Sequence, residues 1–253
     1  MRDTGVCARS ASIVAPASEC AIILFDKTHL IDKLGYFMLK NIVITGASRG
    51  IGKKIADYLS LIEGYKVINI SRGKNNSPRI TNYPCDVSNY QQVKKTFKKI
   101  KNIDVLINNS GITRFSKNPI DSFDQIIKTN LNSFFYCSYE AIKLLKKKKN
   151  SSIINISSIN AHQAFPKNPG YVSSKGAIVS LTRALALDYG ELNVRVNSIS
   201  PGYIREGMSE KSFKDKKKRK ERMSRMIIKR WGEASDIFGA IEYLISDKSS
   251  YLT

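Results

Sequence analysis

Asn41-Ile42-Val43-Ile44-Thr45-Gly46-Ala47-Ser48-Arg49-Gly50-Ile51-Gly52 is the stretch on which the reading of this chain turns. Residues 41–45 are a short, apolar, β-branched run, the pattern of a strand buried on both faces. The run passes directly into glycines spaced G-x-x-x-G-x-G, and a helical pattern follows to about Glu63. A strand, a glycine-rich turn and a helix N-terminus together make an anion site. The glycines let backbone N–H groups approach a pyrophosphate, and the helix dipole favours its charge. The bland alternative is a tight turn between a strand and a helix, so the rest of the chain has to decide.

Lys66 to Ile70 reads as a second strand, followed by Ser71-Arg72. Dinucleotide folds often place an acid here to bind the ribose 2′-hydroxyl of NAD, or an arginine to accommodate the 2′-phosphate of NADP. No acid occurs between Glu63 and Asp86, and Arg49 adds a positive charge inside the glycine loop. The pattern therefore points to NADP(H) over NAD(H), unless Arg72 is only an exposed loop residue.

Strand and helix patterns then alternate. Strands are expected at Ile80–Tyr83, Ile103–Ile107, Ile153–Ile156 and Asn193–Ile199, and helices at Tyr90–Lys101, Asp121–Lys149, Tyr171–Tyr189 and Ala234–Ile245. Such alternation implies a parallel sheet covered on both faces. Ligands then sit beyond the carboxyl ends of the strands, where Cys85-Asp86-Val87, Asn108-Asn109-Ser110-Gly111, Ser157-Ser158 and Pro201-Gly202 fall. Tyr171 and Lys175 lie four apart, on one helix face. A nearby ammonium stabilises a phenolate and lowers its pKa from about 10, which would suit a general acid/base acting on an alcohol or carbonyl. By itself such a pair is ordinary on a half-exposed helix face.

Taken together, these residues closely resemble the short-chain dehydrogenase/reductase family, from about Leu39 onward. Gly46, Gly50 and Gly52 match its glycine motif, and Asn108, Asn109 and Gly111 match its N-N-x-G motif with Ser110 in place of alanine. Asn130, Ser158, Tyr171, Lys175 and Pro201-Gly202 match the remaining motifs in order. The resemblance implies a Rossmann-type, doubly wound α/β fold with a parallel sheet and helices on both faces. It implies that Tyr171 passes a proton, Lys175 lowers the tyrosine pKa and holds the nicotinamide ribose, Ser158 bonds the substrate oxygen, and Asn130 supports a relay water. The cofactor set it implies is Gly46, Ser48, Arg49, Gly50, Ile51, Gly52, Arg72, Asp86, Val87, Asn108, Ser110, Gly111, Tyr171, Lys175, Pro201, Gly202 and Ile204. Arg205-Glu206-Gly207-Met208 departs from the family, which often has a threonine there that meets the nicotinamide or phosphate.

The expected activity is hydride transfer between NADP(H) and a carbonyl or alcohol. The substrate is expected to be a small molecule, with a 3-oxoacyl group on an acidic carrier protein as one candidate. That candidate rests on Gly111-Ile112-Thr113-Arg114 and on Ser246–Leu252, which resemble that branch of the family. Sugar or polyol oxidation and a silent dinucleotide-binding role are the alternatives. A homodimer or homotetramer is implied.

Charge and composition narrow the field. The 42 Lys+Arg against 21 Asp+Glu leave a net charge of +21. That favours acidic partners, but no helix-turn-helix, zinc-finger or RNP pattern accompanies it, so specific nucleic-acid binding is not expected. No run approaches the ~20 apolar residues of a membrane span. Cys7, Cys20, Cys85 and Cys137 form no C-x-x-C pair, so neither metal site nor disulfide framework is indicated and a cytoplasmic location is expected. Residues 1–37 read as a poorly ordered extension before a single domain at 38–253. The basic stretch Glu210 to Arg222 is expected to form a lid, either attracting an anionic substrate or merely solvated. The family's last C-terminal strand is not found after Ile245, so the sixth strand is expected to have an unpaired edge.

Overall fold

A computed structural model describes residues 39–114 and 116–253; the expected extension at residues 1–37 lies outside the described residues. Strands β1 (Lys40–Thr45), β2 (Tyr65–Ser71), β3 (Ile80–Pro84), β4 (Val105–Asn108), β5 (Ser151–Ile156) and β6 (Val194–Ile199) form one sheet in the order β3-β2-β1-β4-β5-β6. Every pairing is parallel. The main helices are α1 (Gly50–Leu59), α2 (Tyr90–Phe97), α3 (Pro119–Ile127), α4 (Ser133–Leu145), α5 (Pro169–Gly190), α6 (Glu210–Lys214), α7 (Lys216–Ser224) and α8 (Phe238–Ile245). This is the doubly wound α/β architecture expected from the alternation of patterns.

Burial on both faces explains why the strands read as continuous apolar runs. Along β1, Val43 points to one core and Ile42 and Ile44 to the other, as the two-residue repeat of a strand requires. On Val43's side, Leu106, Ile153 and Val196 meet Phe97 of α2, Cys137 and Leu145 of α4, and Leu185 of α5. On the opposite side, Ile107 and Ile154 meet Ile55 and Leu59 of α1 and Ile241 and Ile245 of α8. The strand order reverses between β1 and β4, so the connections that follow them leave toward opposite faces of the sheet and a crevice opens between those connections.

Several expected boundaries move, each for a local reason. The helix expected over Asp121–Lys149 begins instead at Pro119, where Asn118 accepts from the Ile120 and Asp121 N–H groups (2.9 and 3.4 Å). A π-helical turn, Lys128–Asn132, interrupts it, and it ends at Leu145. The lysines 146–149 form the turn that follows, closed by Asn150 at φ 57°. The helix starting at Tyr90 stops at Phe97, short of Lys101. The first turn of the expected Ala234–Ile245 helix is a 3-10 turn, Ala234–Ile237.

At the sheet edge, β6 has no strand beyond it among the described residues. Its edge is nevertheless partly covered. The Val196 N–H donates to Thr253 Oγ1 (2.9 Å), and Asn197 Nδ2 donates to the Leu252 carbonyl (2.8 Å). Arg195, nearly fully buried, donates to Asn150 Oδ1 (3.1 Å) and to the carbonyls of Leu244 (2.9 Å) and Leu252 (3.4 Å). The edge is thus less bare than expected, because a guanidinium gathers the end of α8 and the last residues onto it. Charged hydrogen bonds of this kind contribute about 1.5–3 kcal/mol. Arg195→Met is expected to lose about that much, lowering Tm in calorimetry by roughly 3–10 °C. An unchanged Tm would mean that apolar packing alone holds α8 and the tail.

Candidate active site

A cleft of about 1250 Å³ opens above the carboxyl ends of β1, β2, β4 and β5. That volume exceeds the 300–1,000 Å³ usual for a small-molecule pocket, so there is room for a dinucleotide together with a substrate. The glycine loop forms one wall. Gly46 and Gly50 have φ of 71° and 58°, a region that L side chains avoid. A Cβ on Gly46 would stand 2.9 Å from Ser110 Oγ, and one on Gly52 would fall on the Asn109 amide and the Gly46 carbonyl. The loop is tied across the crevice. Thr45 Oγ1 accepts from the Asn109 and Ser110 N–H groups (3.0 and 3.2 Å), while Asn109 Nδ2 donates to the carbonyls of Thr45 and Gly46 (3.0 and 3.3 Å). No acidic side chain occupies the first turn of α1.

Beyond the loop, a buried asparagine network that the sequence reading missed joins it to the end of β2. Asn69 Oδ1 accepts from the Ala47 N–H (3.1 Å) and the Ser71 hydroxyl (2.9 Å), and Asn75 Nδ2 donates to the Ala47 carbonyl (3.0 Å). Ser48, Arg49, Arg72 and Lys74 line this end of the cleft. The three cations are exposed and have no ion pair among the described residues. Asp86 and Val87 line it too, but the Asp86 carboxylate already accepts from the Ser88 N–H and hydroxyl (3.0 and 2.7 Å).

At the floor, Ser158 follows β5 and Tyr171 and Lys175 sit on successive turns of α5. The Ser158 hydroxyl is close enough to Tyr171 to act on its pKa, and it accepts from the Asn160 N–H (3.2 Å). Lys175 Nζ donates to the Ile156 carbonyl (2.8 Å) and stands 5.6 Å from the ring centres of Tyr171 and Phe134. It has no carboxylate partner among the described residues, and burial brings its pKa down to about 7. Burial also raises the Tyr171 phenol above its ordinary value, with the nearby Ser158 hydroxyl pulling the other way. The expectation that Lys175 lowers the tyrosine pKa is therefore not met in the chain by itself. Desolvation acts on both groups, and it weakens the ammonium that was to do the lowering.

Two further residues sit differently from expectation. Asn108, expected to touch the cofactor, is fully buried and outside the cleft. Its amide donates to Asn155 Oδ1 (2.9 Å) and Ser138 Oγ (3.1 Å) between β4, β5 and α4. The two-residue repeat of β4 turns Asn108 inward, and Asn109 is the one that reaches the loop. Asn130 is also fully buried, within the π-helical turn. Its side chain accepts from the Ile112 N–H (2.8 Å) and donates to the Ile112 carbonyl (2.9 Å) and Ser174 Oγ (3.1 Å). Both amide hydrogens are thus engaged in holding the Gly111-Ile112 loop against α5.

The remaining wall comes from the segment after β6. Pro201, Gly202 and Ile204 line the cleft, with Glu206, Met208, Ser209, Glu210, Ser212 and Arg222. Gly207, at φ 63°, packs on Gly50, where an added Cβ would stand 3.2 Å from the other's Cα. Glu206 Oε2 is buried without a hydrogen-bond donor. No group of three or more His, Cys, Asp or Glu among the described residues is placed to hold a metal ion.

A family profile described as Enoyl-(Acyl carrier protein) reductase matches residues 46–253. The 3-oxoacyl-[acyl-carrier-protein] reductase FabG of Staphylococcus aureus is 30% identical over 235 residues, covering 85% of this chain and 94% of that protein. Among solved structures, the ligand-free aldohexose dehydrogenase of Thermoplasma acidophilum superposes with a TM-score of 0.79 at 31% identity, covering 86% of this chain and 91% of its own. A 4-hydroxyisoleucine dehydrogenase complexed with NADH also gives 0.79, at 32% identity, covering 85% and 94%.

The buried lysine has a consequence for stability. Below pH about 7 both folded and unfolded chains hold the Lys175 proton, and the full desolvation penalty applies. Between about 7 and the ordinary 10.5 only the unfolded chain stays protonated, so this group makes stability rise with pH. The slope is at most about 1.4 kcal/mol per pH unit. Lys175→Met, which removes the titration, is expected to be more stable than wild type at pH 7 in urea unfolding, by a margin that shrinks towards pH 9.5. A margin that does not vary with pH would contradict the lowered pKa.

Proposed function

This chain belongs to the short-chain dehydrogenase/reductase family, and on that footing we propose that Ser158, Tyr171 and Lys175 carry an NADP(H)-dependent carbonyl reduction, or the reverse alcohol oxidation. That it is an oxidoreductase acting between CH–OH and carbonyl groups follows from the family itself. The single observation that carries the finer reading is that Ser158, Tyr171 and a lysine with no counter-ion among the described residues line the same cleft as the glycine loop.

The residues present fit a nicotinamide dinucleotide. The glycine loop and the acid-free N-terminus of α1 suit its pyrophosphate. Lys175 Nζ has one acceptor, Ile156 O, and lines the cleft, so its other N–H directions are open to ribose hydroxyls. Glu206 Oε2 lacks a donor, which a carboxamide N–H would provide where relatives often use threonine. When bound, the cofactor supplies hydride to the carbonyl carbon or takes it from the alcohol carbon. Tyr171 Oη gives the proton to the substrate oxygen in reduction and takes it back in oxidation. The Ser158 hydroxyl bonds the same oxygen as charge develops there. A Lys175 ammonium held by ribose acceptors would hold the phenol closer to its ionised form than burial alone allows. Asn130 keeps Gly111-Ile112 in place.

Preference for NADP(H) over NAD(H) is supported by the exposed Arg49, Arg72 and Lys74 at the end of β2; a similar dehydrogenase was nevertheless solved with NADH. We take the substrate to be a 3-oxoacyl group on an acidic carrier protein, supported by the 30% identical reductase and by the charge of +21. Sugar oxidation is the second reading, supported by the aldohexose dehydrogenase. We further propose a homodimer or homotetramer in the cytoplasm. Its support is the exposed Phe135 and Tyr139 on α4 and Leu187 on α5, beside a groove lined by Leu131, Phe135, Ala177 and Leu181. No described helix is long and apolar enough to cross a membrane.

Cofactor oxidation with 3-oxoacyl thioesters, set against cofactor reduction with aldohexoses, tests the substrate reading; turnover only of the sugars would replace it. Tyr171→Phe is expected to lower kcat by about 10²–10⁴-fold while circular dichroism stays native, and near-wild-type turnover would remove Tyr171 from the mechanism. For the cofactor, wild type is expected to show a higher kcat/KM with NADPH than NADH. Arg72→Asp should reduce that ratio about tenfold or more, and a wild-type preference for NADH would reverse the assignment.

A further inference from the structure

The lid helix α7 is basic, yet its charges do not all face water. Lys218 pairs with Asp215 (3.1 Å), and Arg225, just past the helix, pairs with Glu221 (3.1 Å). These are exposed near-neighbour pairs worth little. Arg222 differs from them. Among α7 residues it is the one that lines the cleft. Its guanidinium carbon stands 5.3 Å from the ring centre of Phe165, 5.3 Å from Tyr203 and 5.9 Å from Trp231. Phe165 lies on the segment between Ser158 and Tyr171, Tyr203 follows the Pro201-Gly202 turn, and Trp231 follows the lid. Three separate segments thus converge on one cation.

This cation has no acidic partner and no hydrogen-bond acceptor for its side chain among the described residues. Three carboxylates also line the cleft: Asp86, bonded to Ser88, and Glu206 and Glu210, which have other cations beside them. Glu206 Oε1 is 3.8 Å from Arg205, and Glu210 is 2.6 Å from Lys214. The indole N–H of buried Trp231 likewise lacks an acceptor. Aromatic rings hold a guanidinium through its faces and leave its N–H edge free for a planar two-oxygen anion. A cation held this way has already lost much of its side-chain freedom before a ligand arrives.

We propose that Arg222, caged by Phe165, Tyr203 and Trp231, binds an anionic group of the substrate, either a carboxylate or a phosphate, and so selects anionic carbonyl compounds. The proposal rests on the carbonyl-reductase reading above and adds the substrate's charge to it. It assigns the selectivity to one inward arginine and not to the exposed lysines of the lid.

The test uses the full chain with NADPH and three probes: acetoacetate, its neutral ethyl ester, and the acetoacetyl thioester of 4′-phosphopantetheine. In wild type, kcat/KM should favour the anionic probes over the ester. Arg222→Gln should reduce that selectivity ratio by about ten- to a hundredfold, mainly through KM. Arg222→Lys should recover part of it, and Lys217→Gln, on the same helix but outside the cleft, should keep the wild-type ratio. Loss confined to acetoacetate identifies the anion as a substrate carboxylate, and loss confined to the thioester identifies the carrier phosphate. An equal loss on charged and neutral probes would make Arg222 a structural latch and overturn the proposal. A second readout does not depend on turnover. Trp231 is the sole tryptophan, so its fluorescence reports on the cage directly. A saturable change on adding acetoacetate or phosphopantetheine, absent with the ester and absent in Arg222→Gln, supports the anion site even if no probe is reduced, in which case the reductase reading fails alone. No difference between the wild-type and Arg222→Gln titrations overturns the site.

Discussion

The close approach of β1 and β4 at their carboxyl ends is the constraint on which the rest of the molecule depends. There Thr45 and Asn109 exchange hydrogen bonds across the point where the strand order reverses, and Gly46 lies where a Cβ would strike Ser110. The backbone must therefore turn left-handed at Gly46 and again at Gly50, and α1 starts with its N-terminus facing the crevice. Parallel pairing sends the connections after β1, β4 and β5 to the same end of the sheet. One steric fact thus places the glycine loop and the Ser158–Tyr171 pair in a single cleft.

The polar groups around that cleft are unevenly matched. Among the described residues Lys175 has one acceptor, Arg222 and Trp231 Nε1 have none, and Glu206 Oε2 has no donor. Buried polar groups without partners are costly. By contrast, the asparagines behind the walls are densely bonded: Asn69, Asn75, Asn109 and Asn130 each bond to backbone of the cleft wall. The contrast separates scaffold from working surface. The scaffold asparagines tie the loops together, and on the proposed reading the unmatched groups are the ones a ligand would meet.

Burial also sets the electrostatics. Desolvation pushes Lys175 down and Tyr171 up, so the pair is not activated merely by being adjacent. On the proposed reading, the lysine regains its charge when ribose acceptors reach it. In this reading the acid/base competence of Tyr171 is coupled to what lies in the cleft.

Much of this was legible in the sequence because it depends on short-range pattern. The β-branched run at 41–45, the glycine spacing at 46–52 and the alternation of strands and helices dictate element type and order, since periodicity decides which face is apolar. The i,i+4 spacing likewise puts Tyr171 and Lys175 on one helix face. Tertiary structure alone decided the rest. Whether Asn108 or Asn109 faces the crevice depends on the pleat phase of β4, which neighbouring strands set. The link from Asn69 and Asn75 to the glycine loop joins residues 22 and 28 positions apart. Arg222 looks like any other charge in a basic run until Phe165, Tyr203 and Trp231 come together around it. The direction of each pKa shift was hidden for the same reason: it depends on how much water the fold removes, and that is a property of packing between distant segments and not of spacing along the chain.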